Sequence, residues 1–278
     1  MQIIIIPPGR TNHFGVPSGP GFLLQSSIRN GTYKANNNLK VPINIQSLKT
    51  RSLTAVIFVF VMLAGLFINR WAFICLFTII MFGCLYEFSK IVKKINIRKY
   101  FFFVPLAFFY IIMPLMMLLD LGINGSNAHD QPAVLEGASN SFSPLYPCAI
   151  IFSIWINDTM AYLVGSYIGK TPFTKISPNK TWEGTIGGAL LCIAIIALSG
   201  YFIPVAKLLS LQHWVCIAAI CAVFGTLGDL LESKLKRMAK IKDSGSFMPG
   251  HGGFLDRFDS LLIATPFVWA YIRFVAEN

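Results

Sequence analysis

The sequence predicts an all-α fold: a polytopic integral membrane helical bundle of about seven transmembrane helices, with its charged motif loops on the cytosolic side. Three observations predict it. Apolar runs of near-bilayer length recur along the chain, and polar connections separate them. Hydrophobic residues make up 55% of the 278 and charged residues only 13%, with a mean hydropathy of +0.63, far too apolar for a soluble domain of this size. Finally, Lys and Arg crowd into alternate connections instead of spreading evenly.

Residues 1–48 are rich in Gly, Pro, Asn and Ser, and their one apolar run, Ile3–Ile6, stops at Pro7-Pro8. That run is too short for a signal-peptide core, so the segment is expected to be a disordered extension. It leaves 49–278 as the membrane domain. Spans are expected at Leu53–Ile68 and Trp71–Tyr86, both short enough for a tight helical hairpin, then at Tyr100–Leu119, Leu145–Ile168, Ile186–Ala206, His213–Leu230 and Ser260–Val275. With a cytosolic N-terminus, segments 1–52, 87–99, 169–185 and 230–257 lie inside and hold 20 of the 23 Lys/Arg; only Arg70, Lys207 and Arg273 fall elsewhere. This bias sets the orientation. It also assigns the formal charge of +11 to a membrane surface, with no nucleic acid partner expected. Residues 120–144 are the longest outside loop. The six cysteines have no C-x-x-C pair and mostly sit in apolar runs, as buried thiols do, and the four histidines are too dispersed for a metal cluster.

Three constellations carry chemistry. Asn157-Asp158 lies inside the fourth span, where an ionised group costs at least roughly 2.5 kcal/mol and marks a function by default; Tyr162, Gly165 and Gly169 follow on the same face. A packing face of small residues with a hydrogen-bonded polar pair is the competing reading. The next loop, from Gly169 to Gly184, holds Lys170, Lys175 and Lys180 among hydroxyls and glycines. It suits an anion, though a lysine loop beside a membrane is more often an orienting charge patch. The richest stretch is Gly228–Ser260, where Asp229, Glu232, Asp243, Asp256 and Asp259 alternate with six Lys/Arg. Acids that ligate a cation, beside bases and glycines that face phosphate oxygens, are what phosphoryl-group chemistry needs. Two helix ends, at Asp229 and at Asp256/Asp259, could converge there on one cation.

At these residues the chain resembles the phosphatidate cytidylyltransferases, or CDP-diglyceride synthases, of the bacterial type. Their signature reads Ser-x-apolar-Lys-Arg, four residues, Lys-Asp, then a Gly-containing turn into His-Gly-Gly-x-x-Asp-Arg-x-Asp. Here it stands as Ser233, Leu235, Lys236, Arg237, Lys242, Asp243, Gly245, Pro249, His251, Gly252, Gly253, Asp256, Arg257 and Asp259. Met248 departs from the usual Leu, Ile or Phe, at similar volume. Asn157–Lys170 and Ile176–Gly184 are also similar to the family, and the resemblance covers about residues 49–278.

The resemblance implies CTP and phosphatidate as partners, a homodimer in the bacterial cytoplasmic membrane, and Mg²⁺ held by Asp229 and Asp256. A second cation would sit near Asp243, Asp259 or Asp158. The expected reaction is attack of the lipid phosphate on the α-phosphorus of CTP, releasing diphosphate. Lys180, Lys236, Arg237 and Lys242 are the expected phosphate-binding bases. Asn157, Asp158, Ser233, Gly252 and Gly253 complete the binding set, and His251 is expected to hold its turn or a phosphate oxygen. An ion-coupled transporter is the rival reading, weakened by how little charge lies at midplane.

Overall fold

A computed structural model describes residues 45–95, 103–124, 142–174, 176–247 and 252–276. Its helices run α1 (Ile45–Phe67), α2 (Arg70–Ile95), α3 (Pro105–Asn124), α4 (Leu145–Ile168), α5 (Trp182–Phe202), α6 (Leu211–Met238) and α7 (Leu255–Tyr271). An isolated β-bridge joins Pro172 to Thr181. Six helices, α2 to α7, are long and apolar enough to cross a membrane, α7 being continued by a π-helical turn at Ile272–Ala276. The apolar part of α1, Ser52–Phe67, is a shorter seventh. The chain is a membrane protein. Of the expected N-terminal extension, 1–44 lie outside the described residues and the last four open α1; most of the expected outside loop, 125–141, also lies outside them.

Most helix boundaries run past the expected spans, while α5 stops at Phe202, short of Ala206, where Pro204 opens a 3-10 turn. Helix α2 passes the expected end at Tyr86 and continues to Ile95, because Phe88, Ile91 and Val92 keep a buried stripe at helical spacing while Lys90, Lys93 and Lys94 stay exposed. Helix α6 likewise runs on from Leu230 to Met238, carrying the buried Glu232. Helix α5 begins at Trp182, four residues before the expected start. The Thr181 side chain accepts a hydrogen bond from Gly184 N at 3.1 Å and caps it. Between α1 and α2 the chain turns at Asn69, whose Oδ1 accepts from Ala72 N at 2.7 Å, giving the expected hairpin.

Small residues set how closely the helices approach. On α5, Gly184 and Gly188 lie against Ala161 and Gly165 of α4, and a Cβ at either would strike α4 backbone. Gly228 of α6 likewise lies against the Asp259 carbonyl and the Ser260 Cα of α7. Such contacts are how helices associate where lipid offers no hydrophobic driving force. Below them, Phe73, Phe77, Ile111, Leu118, Ile150, Ile217 and Leu262 build a fully buried core. At one end of the bundle Asp120 accepts from Trp269 Nε1 at 2.7 Å and Arg273 Nη2 at 2.8 Å, tying α3 to α7. The motif residues gather at the other end.

Opposite ends of the bundle should react from opposite faces of the membrane. In a background with the six native cysteines replaced, Lys240→Cys is expected to label with an impermeant maleimide only from the cytosolic side, and Lys207→Cys only from outside. Labelling of both from one face would refute the topology.

Candidate active site

The loop between α4 and α5 is folded, and its fold aims one lysine. Phe173 N donates to Lys180 O at 2.7 Å and Trp182 N to Thr171 O at 3.0 Å, while the Phe173 and Trp182 rings meet edge to face at 4.4 Å. Glu183 closes the base of the loop by accepting from Lys170 N, Thr171 N and Thr171 Oγ1 at 3.2, 3.2 and 2.8 Å. Lys180 consequently projects into a cleft of about 470 Å³, lined also by Asn157, Asp158, Ser177, Thr181 and Asp229. Lys170 remains exposed, and Lys175 lies outside the described residues. On the Asn157–Gly165 face the small residues pack on α5, and the polar pair Asn157-Asp158 lines the cleft.

At the inner wall of the cleft the Lys180 ammonium is ion-paired with Asp229. Ser233, one turn on, donates to Asp229 Oδ1 at 3.2 Å. The close approach at Gly228 brings Asp259 of α7 against this turn of α6, so carboxylate oxygens of Asp229, Glu232 and Asp259 all lie within 4.8 Å of one another. Glu232 and Asp259 are buried, at 1% and 8% exposure. Like charges this close repel, and the compensation is local: Lys236 Nζ bridges Glu232 and Asp256, at 2.7 Å from Asp256 Oδ1, and Lys180 faces Asp229.

Asp256 has a different environment from its neighbours. Its Oδ2 accepts Ser244 N at 2.8 Å, Ser244 Oγ at 2.9 Å and Gly253 N at 2.8 Å, and its Oδ1 takes Lys236. Gly252, at φ 84°, bends the chain so tightly that a Cβ there would meet this carboxylate. Behind it stands Glu87 of α2, 4% exposed, whose oxygens accept Ser244 Oγ at 2.6 Å and the α7 N-terminal amides of Phe254 and Leu255 at 3.0 Å each. Negative charge suits a helix N-terminus. A chain of bonds thus runs from α2 through Ser244 and Asp256 to Lys236 and Glu232 on α6.

Residues of the expected set do not all meet. Asn157, Asp158, Lys180 and Asp229 line the cleft, with Glu232 and Asp259 grouped about Asp229; Ser233 bonds Asp229, Lys236 joins Glu232 to Asp256, and Gly252 and Gly253 lie against Asp256. Asp256, expected beside Asp229, is outside the converging triad and holds Lys236. Asp243 faces another cleft, and Arg237 and Lys242 are exposed on the surface at this end. His251, with Met248 to Gly250, lies outside the described residues. Glu87 was missed because one acid at the end of an apolar run carries no spacing signal. Glu232 was in view within the motif, and its burial alone marks it out.

The cytidylyltransferase family model matches residues 137–275, half of the chain and every element of the cleft. The chain belongs to the cytidylyltransferase family. Among curated proteins, this family member is 44% identical over 144 residues to phosphatidate cytidylyltransferase 4, chloroplastic, of Arabidopsis thaliana, covering 51% of this chain and 36% of that protein. Similarity to the phosphatidate cytidylyltransferase of Bacillus subtilis is 44% identity over 126 residues, 45% of each chain. That of Staphylococcus aureus matches at 46% over 117 residues, 41% of this chain and 43% of the relative. The matched part spans less than half the length of these relatives, and Glu87 precedes the matched region.

A hard divalent cation fits the donors present. Three carboxylates offer oxygen ligands, and Glu232 Oε1 and Asn157 Oδ1 are buried with no hydrogen-bond donor, a costly arrangement that a cation would relieve. Glu87→Gln keeps the shape but turns an NH₂ toward backbone donors. It is expected to cost about 1–3 kcal/mol, read as a lower unfolding midpoint in detergent with faster amide exchange at Phe254 and Leu255. Unchanged exchange at those amides would contradict the role given to Glu87.

Proposed function

We propose that this chain transfers the cytidylyl group of CTP to phosphatidate, giving CDP-diacylglycerol and diphosphate, as a homodimer in the bacterial cytoplasmic membrane with its site facing the cytosol. One observation carries the reading: in a member of the cytidylyltransferase family, Asp229, Glu232 and Asp259 converge beside a cleft that Lys180 enters, at the same end of the bundle as the basic segments. The relatives, named as phosphatidate cytidylyltransferases, agree with it. Exposed apolar side chains on α5, among them Ile186, Leu190 and Leu198, offer a surface to lipid or to a second copy.

The cleft receives the nucleotide, and Lys180 and Lys236 meet its triphosphate. Arg237 and Lys242, exposed at the same end of the bundle, meet the lipid phosphate. An oxygen of that phosphate attacks the α-phosphorus in line, and the bond to the bridging oxygen breaks with its electron pair leaving on diphosphate. The nucleophile needs no general base, because a phosphate monoester has a second pKa of about 6; His251 is left a structural or phosphate-binding task. Asp229 and Asp256, together with Glu232 and Asp259, are the carboxylates assigned to Mg²⁺, which supplies neutralisation of charge developing on the phosphates. Asp158, on the cleft wall, is the acid nearest to hand for a second cation, whereas Asp243 is turned away.

Purified full chain in detergent with phosphatidate should release diphosphate only when CTP and Mg²⁺ are both present, and not with ATP. Folded protein that releases none, or that prefers ATP, would overturn the reading. Asp229→Asn, Glu232→Gln and Asp259→Asn should each lower kcat by at least about a hundredfold, the scale of losing one charge-stabilising group, with membrane insertion intact. Asp256→Asn separates two roles: a raised Mg²⁺ requirement like that of Asp229→Asn makes it a ligand, and an unchanged one makes it the holder of Lys236.

A further inference from the structure

A second cleft, of about 720 Å³, lies between the last turns of α2 and the Ile241–Phe247 segment, and it shares no lining residue with the first. Lys90, Lys93 and Lys94 line it, against two acids, Asp243 and Glu87. Glu87 is turned inward and committed to Ser244, Phe254 and Leu255, which leaves three lysines against the single acid Asp243 on the open side. The wall is aromatic. Phe247, 62% exposed, packs on Phe254 at 4.2 Å, and Tyr86, 61% exposed, lies under Lys90 Nζ at 4.2 Å.

Depth argues for what fills it. The apolar run of α2 ends at Tyr86, and at 1.5 Å per residue Lys90 stands about 6 Å beyond it, within the headgroup layer of roughly 5–7 Å on each side of the hydrocarbon core, while Lys94 stands about 12 Å beyond it, on that layer's aqueous side. Exposed Tyr and Phe beside lysines at that level are an interfacial arrangement. A soluble anion would use the lysines alone, whereas an acidic lipid also covers the aromatic flank; basic pockets between membrane helices bind such headgroups. We propose that this cleft holds the phosphate of an acidic phospholipid from the adjoining leaflet, a lipid site separate from the reaction cleft. Its occupant rests on the outer side of the Glu87–Ser244–Asp256 chain.

The test is binding, so it stands or falls apart from the proposed activity. Delipidated full chain in neutral detergent is titrated with phosphatidylglycerol, phosphatidate, phosphatidylcholine or glycerol phosphate, and bound lipid is counted by native mass spectrometry. Phosphatidylglycerol should bind at least tenfold tighter than phosphatidylcholine. The triple variant Lys90→Gln, Lys93→Gln, Lys94→Gln should weaken it about a hundredfold, since each Lys near an acidic headgroup contributes about fivefold. The triple Lys→Arg variant should restore binding, and higher salt should weaken it. The proposal fails if the Gln variant binds as wild type does, or if phosphatidylcholine binds equally well. It also fails if glycerol phosphate competes as strongly as the lipid, which marks a soluble-anion site, or if phosphatidate alone is retained, which marks a substrate-specific one.

Discussion

Carboxylate crowding is the constraint around which this bundle end is built. Oxygens of Asp229, Glu232 and Asp259 within 4.8 Å of one another repel by about 3 kcal/mol per pair at an effective dielectric constant near 20, and two of the three acids are buried. The chain tolerates this only because positive charge is supplied at fixed places. Lys180 arrives on a braced loop from one side, and Lys236, one turn beyond Glu232 on the same helix, arrives from the other. Such concentrated like charge is poor for stability, and a cation among the three carboxylates would relieve it.

Holding these charges in register requires close backbone approach. Gly228 lets α6 meet α7 at Asp259, and Gly184 with Gly188 lets α5 meet α4 beside Asn157 and Asp158. The cleft therefore opens between two tightly packed helix pairs, each drawn together by small residues rather than by large apolar ones. Glu87 then fastens α2 to the first turn of α7 through two amides and Ser244. This brings a helix from outside the matched family region into the support of Asp256, and the same contact forms the floor of the lysine-rimmed second cleft.

Much of this was legible in the chain itself, and the misses have physical causes. Span number, the hairpin of α1 and α2 and the clustering of the motif loops all follow from apolar run length and Lys/Arg distribution. Helix ends were misplaced at Ile95 and Met238 because a hydropathy run stops where charge begins, while the helix continues as long as one stripe stays buried. The polar pair at Asn157-Asp158 and the three-lysine loop each allowed a bland alternative. Spacing did not say which lysine faces the cleft; packing turns Lys180 inward and leaves Lys170 exposed.

Sequence alone determined that this is a helical membrane protein and that Asp229, Glu232, Lys236, Asp256 and Asp259 lie in one charged segment, since composition and local spacing are properties of the linear chain. Only the tertiary structure decided which of them face one another. It grouped Asp259 with Asp229 and Glu232, gave Asp256 to Lys236 and Ser244, and drew in Glu87 from 157 residues before Ser244. Those choices depend on helix rotation and approach distance, which are set by contacts between Gly228 and α7 and between Glu87 and the α7 N-terminus, and no spacing along the chain encodes them.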